Sequence, residues 1–231
     1  MAPKSFRNIF LAVVGLICGV SYGDQVPDLV ARLEKLDGKD SIRAMVHISD
    51  RLSKVKDEES KLLEQADFVI TADANTLTLM VAGKISDNRL FREFSILRAG
   101  QLVQYDLHLA KELDGLKFLE NEPDVYRGVS CRRWHLKSQR KESRFGISST
   151  MLRDVTLWID AGGYPIAGSF KTQTKGRFLL IKFNSESTRE QRYQRIGGRL
   201  ILVLDKNETD MKSKAGEEKR TVTTTVDVKQ N

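Results

Sequence analysis

Two cysteines and three histidines in 231 residues leave little material for redox or metal chemistry. Cys18 falls in an N-terminal apolar run and Cys131 stands alone in the rest of the chain. Once that run is removed no internal disulfide can form, and stability has to come from packing. Cys131 itself is expected as a small buried strand residue rather than a reactive thiol. His47, His108 and His135 lie far apart, with no His-x-x-x-His spacing, so no metal site announces itself. A Gly-x-Ser-x-Gly elbow and a phosphate-binding glycine loop are both missing; Gly146-Ile147-Ser148 lacks the trailing glycine. The expectation is a non-enzyme without a cofactor.

The chain also lacks an apolar run long enough for a comfortable membrane span, which takes about 20 residues. Its one candidate, Ile9 to Val20 behind Lys4 and Arg7, reads as a signal peptide with Ser21 and Gly23 placed for a cut before Asp24. Ile17 stands where a lipoprotein signal usually has a small residue, so cleavage is preferred to lipidation of Cys18, and also to an uncleaved anchor. The expected organisation is residues 1–23 as signal and 24–231 as one β-rich domain, exported and, in a bacterium, periplasmic. A chain of this length buries about 70% of its unfolded surface.

The mature chain, with 36 basic residues against 31 acidic ones, is about +5. The excess concentrates in Arg127, Arg132, Arg133, Lys137, Arg140, Lys141 and Arg144, opposed locally by Glu142 alone. This basic patch has no interleaved aromatics for stacking, so nucleic acid is not expected. An anionic head group or an acidic partner suits it better, and a plain solvated surface better still.

Periodicity supplies the fold. Val26, Leu29, Val30, Leu33 and Leu36 recur at helical spacing, and Ile42, Ala44, Val46 and Ile48 alternate as a strand. Leu52 to Glu64 reads as the solvated end of a long hairpin, followed by strands through Phe68 to Ala72 and Leu77 to Val81. Asp87 caps an expected helix through Leu90, Phe91, Phe94 and Leu97 to Gly100, and a second helix runs from Gln101 to Leu113. Strands resume at Leu116, with a turn at Asn121-Glu122-Pro123-Asp124 and a bulge at Arg132-Arg133 that would bring Val129, Cys131, Trp134 and Leu136 to one face. A Ser- and Lys-rich loop follows. Val155, Leu157 and Ile159 then alternate with Thr156, Trp158 and Asp160; turns are expected at Ala161-Gly162-Gly163, Thr174-Lys175-Gly176 and Ile196-Gly197-Gly198. Lys206 to Lys219 is polar and aperiodic and is read as mobile, ahead of a last strand from Thr221 to Val228. The fold class is α+β: a single curled antiparallel sheet, an incomplete barrel built as a meander, with a few helices covering one face as a lid or as fixed core.

Tyr126-Arg127-Gly128, Thr156-Leu157-Trp158-Ile159-Asp160, Gly163-Tyr164-Pro165 and Thr223-Thr224-Thr225-Val226-Asp227, in this order, resemble the periplasmic lipoprotein carrier and receptor superfamily. With the Lys175-Gly176-Arg177 turn and Arg199-Leu200 they also resemble an uncharacterised group of exported bacterial proteins. The first resemblance implies an incomplete barrel with inserted helices that holds lipoprotein acyl chains. No ligand-contacting residue transfers from either group. Two function classes stay open: a carrier or sensor that binds a lipid or an acylated protein in the half-barrel, and an exported scaffold or regulatory module that uses the sheet for protein contacts. For the first, Phe91, Phe94, Leu97, Trp134 and Trp158 are the candidates for an apolar ligand space.

Overall fold

The computed structural model describes residues 25–54, 60–83, 89–144, 147–178, 181–213 and 216–230. The signal segment with its cleavage site, and the cap at Asp87, lie outside these residues. Helix α1 (Gln25–Glu34) buries Val26, Leu29 and Leu33, and carries Asp28 in its first turn and Arg32 in its last, both favourable to the helix dipole. Strands β1 (Ile42–Lys54), β2 (Ser60–Ala72) and β3 (Leu77–Val81) form an antiparallel meander. Its second turn is fixed by Asp73, whose carboxylate accepts from the backbone N–H of Asn75 and of Thr76, each at 2.8 Å.

Helices α2 (Arg89–Glu93), α3 (Ile96–Val103) and α4 (Asp106–Leu113) then link β3, one edge of the sheet, to β4 (Lys117–Tyr126), the other. The chain returns through β5 (Val129–Arg144), β6 (Ile147–Ile159), β7 (Pro165–Phe178), β8 (Ile181–Ile196), β9 (Arg199–Ser213) and β10 (Gly216–Gln230). Strand order is β3-β2-β1-β10-β9-β8-β7-β6-β5-β4, one antiparallel sheet of ten strands that does not close. The expected α+β architecture is the observed one.

The inner face is the apolar one. Val46, Phe68, Leu136, Val155 and Leu157 on the strands are buried with Leu29, Leu33, Leu102, Leu109 and Leu113 on the helices in one core. The junction between α3 and α4 is tied to the sheet by a backbone bond from Tyr105 N to Leu200 O, 2.7 Å. Leu200, Ile201 and Leu202 are all buried, as a run that is apolar on both faces predicts.

Several expectations are corrected. The two expected helices, divided at Gly100, are three: Ser95 is a new N-cap, its hydroxyl accepting from Arg98 N at 3.3 Å, so α3 starts in a different phase from α2 and runs through Gly100, and α4 begins only at Asp106. No turn occurs at Asn121-Glu122-Pro123-Asp124; β4 runs through it, because an edge strand tolerates a proline that a central one does not. The hairpin turn lies at Arg127-Gly128, where φ is +51° and +84°, the left-handed pair a type I′ turn needs. The β5–β6 register is unbroken from Arg132 to Arg144, and the bulge sits instead on β4 between Phe118 and Glu120. Trp134 therefore faces inward and Cys131 outward, where Cys131 is buried with its Sγ 3.5 Å from Asp124 O. The Ser- and Lys-rich stretch after Leu136 as far as Arg144, the Thr174-Lys175-Gly176 turn, and residues 206–213 and 216–219 are strand, in the far halves of β5, β7, β9 and β10. There the strands bury little on either face and exposed residues such as Met151 and Leu152 sit among polar ones, so alternation vanishes while the main-chain ladder continues. Glu208, for one, is held by Lys206 (2.7 Å) and Lys219 (2.6 Å).

Leu157 is fully buried and its neighbour Thr156 half-buried on the opposite face. Leu157→Asp is expected to cost more than about 3 kcal/mol, by placing an unpaired carboxylate in the core, and Thr156→Asp about 1 kcal/mol or less. Urea denaturation of the two variants checks this, and equal midpoints would assign the faces wrongly.

Candidate functional site

The five apolar candidates do not converge. Phe94 is 9% exposed and packs on Phe68 with ring centroids 4.4 Å apart; Phe91 flanks the same ring at 5.4 Å. Both belong to the contact between α2 and β2. Leu97, in the phase set by Ser95, is 77% exposed. Trp134 is on the inner face, edge-on to Phe118 at 5.5 Å, whereas Trp158 is on the outer face, where its Nε1 donates to Asp124 at 2.9 Å and its ring lies beside Tyr126. No single site can hold all five.

The basic patch divides as well, because successive residues of a strand point to opposite faces. Arg132 and Arg140 share the inner side with Trp134; Arg133, Lys137 and Lys141 are on the outer side. Arg127 sits in the hairpin turn, and the side chain of Arg144 lies outside the described residues. Carboxylates from neighbouring strands, distant in sequence, meet part of this charge: Glu122 and Asp124 (3.7 Å) at Arg133, and Asp154 (3.2 Å) at Lys137.

Sequence reasoning missed a polar belt that bounds the core on the inner face. Asp50, with 1% of its side chain exposed, is gripped by Arg89 at the start of α2 (2.5 Å) and Arg220 of β10 (2.6 Å). Asp205, 7% exposed, is gripped by Arg98 of α3 (3.0 Å) and Arg189 of β8 (2.6 Å). Arg189 also reaches Glu112 at 2.7 Å, and Glu112 accepts from the Tyr105 hydroxyl at 3.0 Å. The buried amide of Gln191 joins the hydroxyls of Tyr105 and Tyr193. Burial raises the pKa of both tyrosines. Burial also pushes the Glu112 carboxyl up, but hydrogen bonding from His108 and the charge of Arg189 outweigh it and hold the group below its usual range. Each carboxylate of the belt has an arginine within ion-pair reach, and the belt reads as structure. Among the described residues no group of three or more His, Cys, Asp or Glu side chains is placed to hold a metal ion.

Open space lies elsewhere. A groove of about 740 Å³ runs between α1, α4 and the start of β4, lined by Val26, Pro27, Val30, Leu107, Ala110, Leu113, Leu116 and Phe118, with Glu34, Lys111, Asp114 and Lys117 also lining it. Phe118 separates it from Trp134. On the outer face a trough of about 1020 Å³ crosses β5 to β8, and a smaller hollow of about 360 Å³ adjoins it, sharing Leu119, Lys137, Asp154 and Lys171. Gly115 and Lys117 line both the groove and the trough. No signal in the sequence marks these spaces, since each forms where elements distant along the chain meet.

No protein-family description matches the chain, and no curated protein does. Solved structures give distant likenesses. A DUF1329 family protein from Desulfovibrio piger is 8% identical, with 92% of this chain and 94% of that one covered at a TM-score of 0.37. MucB in complex with MucA(peri) is 7% identical, with 89% and 99% covered at 0.21, and the Pseudomonas aeruginosa MucA/MucB complex is 8% identical with the same coverage at 0.20. Likenesses this slight carry no argument about function.

Two outcomes follow from the belt and the aromatic contacts. Phe94→Ala is expected to cost about 3–5 kcal/mol and Leu97→Ala within about 0.5 kcal/mol, measured by chemical denaturation. The Glu112 carboxyl is depressed in the folded state, so its stabilisation is complete above the ordinary glutamate value of about 4.3 and is lost as pH falls through the folded value. Glu112→Gln should therefore lose stability at neutral pH and lose less than the parent between about pH 7 and pH 3. Parallel acid limbs for the two proteins would show that Glu112 is not the group responsible.

Proposed function

We propose that this chain is an exported, non-enzymatic binding protein that takes an apolar chain, as of a lipid or an acylated protein, in the groove between α1, α4 and β4. Export rests on the N-terminal segment read above. The interior of the half-barrel is filled by α3, α4 and the belt, which moves the acyl reading from Phe91, Phe94 and Leu97 to the groove. The observation that carries it is the groove itself, whose size lies within the range of small-molecule sites and whose lining is mostly aliphatic. Each methylene taken from water contributes about 0.8 kcal/mol, so a chain needs no polar contact to bind usefully. The same groove suits an apolar segment of a protein partner, the reading in which the sheet is only a scaffold.

Titration of the mature chain with single-chain acyl probes of increasing length, below their micellar concentrations, tests the proposal. Affinity is expected to rise about fourfold per methylene until the groove is full. Val30→Glu, on the half-buried wall of α1, should weaken binding by at least an order of magnitude; because Val30 also packs against the core, circular dichroism of the variant establishes that it is folded before its binding is read. Tryptophan emission should respond through Trp134, which touches Phe118, and persist in Trp158→Phe. Absent saturation, or affinity indifferent to chain length and to Val30→Glu, would favour the protein-partner reading.

A further inference from the structure

The groove and the outer trough are lined by different chemistry and meet at one place. Gly115, just past the end of α4, has φ +71°, has nothing within 4 Å of where a Cβ would stand, and lines both spaces. Lys117, two residues on, lines both. From there the trough is cationic: Lys117, Lys137, Lys141, Arg153 and Lys171 line it against Asp154 and Glu186. Asp154 is engaged by Lys137, and Lys117, Lys141 and Lys171 have no carboxylate in salt-bridge reach among the described residues.

We infer that the protein binds an anionic amphiphile bent around the start of β4, with its acyl chain in the groove and a phosphate-bearing head over Lys117, Lys141 and Lys171 in the trough. This rests on the acyl reading of the groove and adds the class of head group. Charge complementarity selects the occupant. Five cationic side chains line the trough against Asp154 and Glu186, and among the described residues three of the ammonium groups lie outside ion-pair distance of any carboxylate, an excess that favours an anion over a neutral or zwitterionic head. Lysines on flexible stems suit a phosphate as point charges, without demanding one geometry. A path of this kind needs no buried charge, because the head stays in water while the chain leaves it.

The test compares two probes with one acyl chain, lysophosphatidylglycerol and the neutral monoacylglycerol, with glycerol phosphate as a chainless control. Calorimetry below the micellar concentrations is expected to give the anionic probe at least about tenfold tighter binding at low salt, a margin that shrinks towards none at about 0.5 M salt. Lys141→Glu with Lys171→Glu, both exposed and outside the groove, should bring the anionic probe down to the affinity of the neutral one. Equal binding of both probes, unchanged by the double substitution, would overturn the head assignment and leave the groove standing. Binding of neither would overturn both. Glycerol phosphate bound as tightly as the lipid would overturn the bent-amphiphile inference in favour of a free anion site.

Discussion

Two enclosed carboxylates fix where the helices can lie. Asp50 and Asp205 are each held by one arginine from a helix and one from a strand, so the position of α2 on the sheet is set by Arg89 and that of α3 by Arg98. Hydrophobic contact alone would let short helices slide, since apolar burial has no direction. Ion pairs of this kind add little net stability over a well-packed apolar alternative, yet removing one partner strands a buried charge and is costly. Their role here is registration. With the helices fixed, the core closes beneath them, and the remaining space is displaced to the flank where α1 and α4 meet β4.

The register of α4 in turn decides what the edge of the sheet offers. Leu109 is given wholly to the core and Leu113, also buried, forms the floor that core and groove share, which leaves Leu107, half exposed, and Lys111 on the open side of the groove. α1 meets the same groove through Val26, itself buried, and Val30, which is half-buried and also packs against the core, while Leu29 and Leu33 face the core alone. α4 thus carries apolar residues beyond its packed face, and an amphipathic helix that served packing alone would present a polar residue at Leu107.

How much of this was legible in the sequence depends on burial. Where a strand lies under the helices, as at Val155, Leu157 and Ile159, alternation is strong and the reading holds; Leu29 and Leu33 gave α1 in the same way. Where the strands run past the helices, at Thr174 to Gly176 or over residues 206–210, nothing apolar is sequestered, so a glycine looks like a turn and a polar run like a mobile segment. Phe94 was recognisable as apolar, but whether an aromatic lines a cavity or fills it depends on Phe68, 26 positions earlier in the chain. The belt was invisible for the same reason: Asp50 and Arg220 lie at opposite ends of the sequence. Gly115 and Lys117 carry no motif, and only the folded edge gives them neighbours in both spaces.

The pairing of β1 with β10 places the first strand of the domain beside the last, over the whole length of β1. The sheet is therefore two separate meanders, one short and one long, until the final residues of the chain join them. Contacts of such long sequence separation carry a large loop-closure cost and make folding slow. A nascent chain holding everything up to β9 still lacks its seam and has unpaired main chain along β1 and β9, the edges most open to wrong partners. Completion of the sheet therefore waits on β10, the one strand that turns two open edges into a seam.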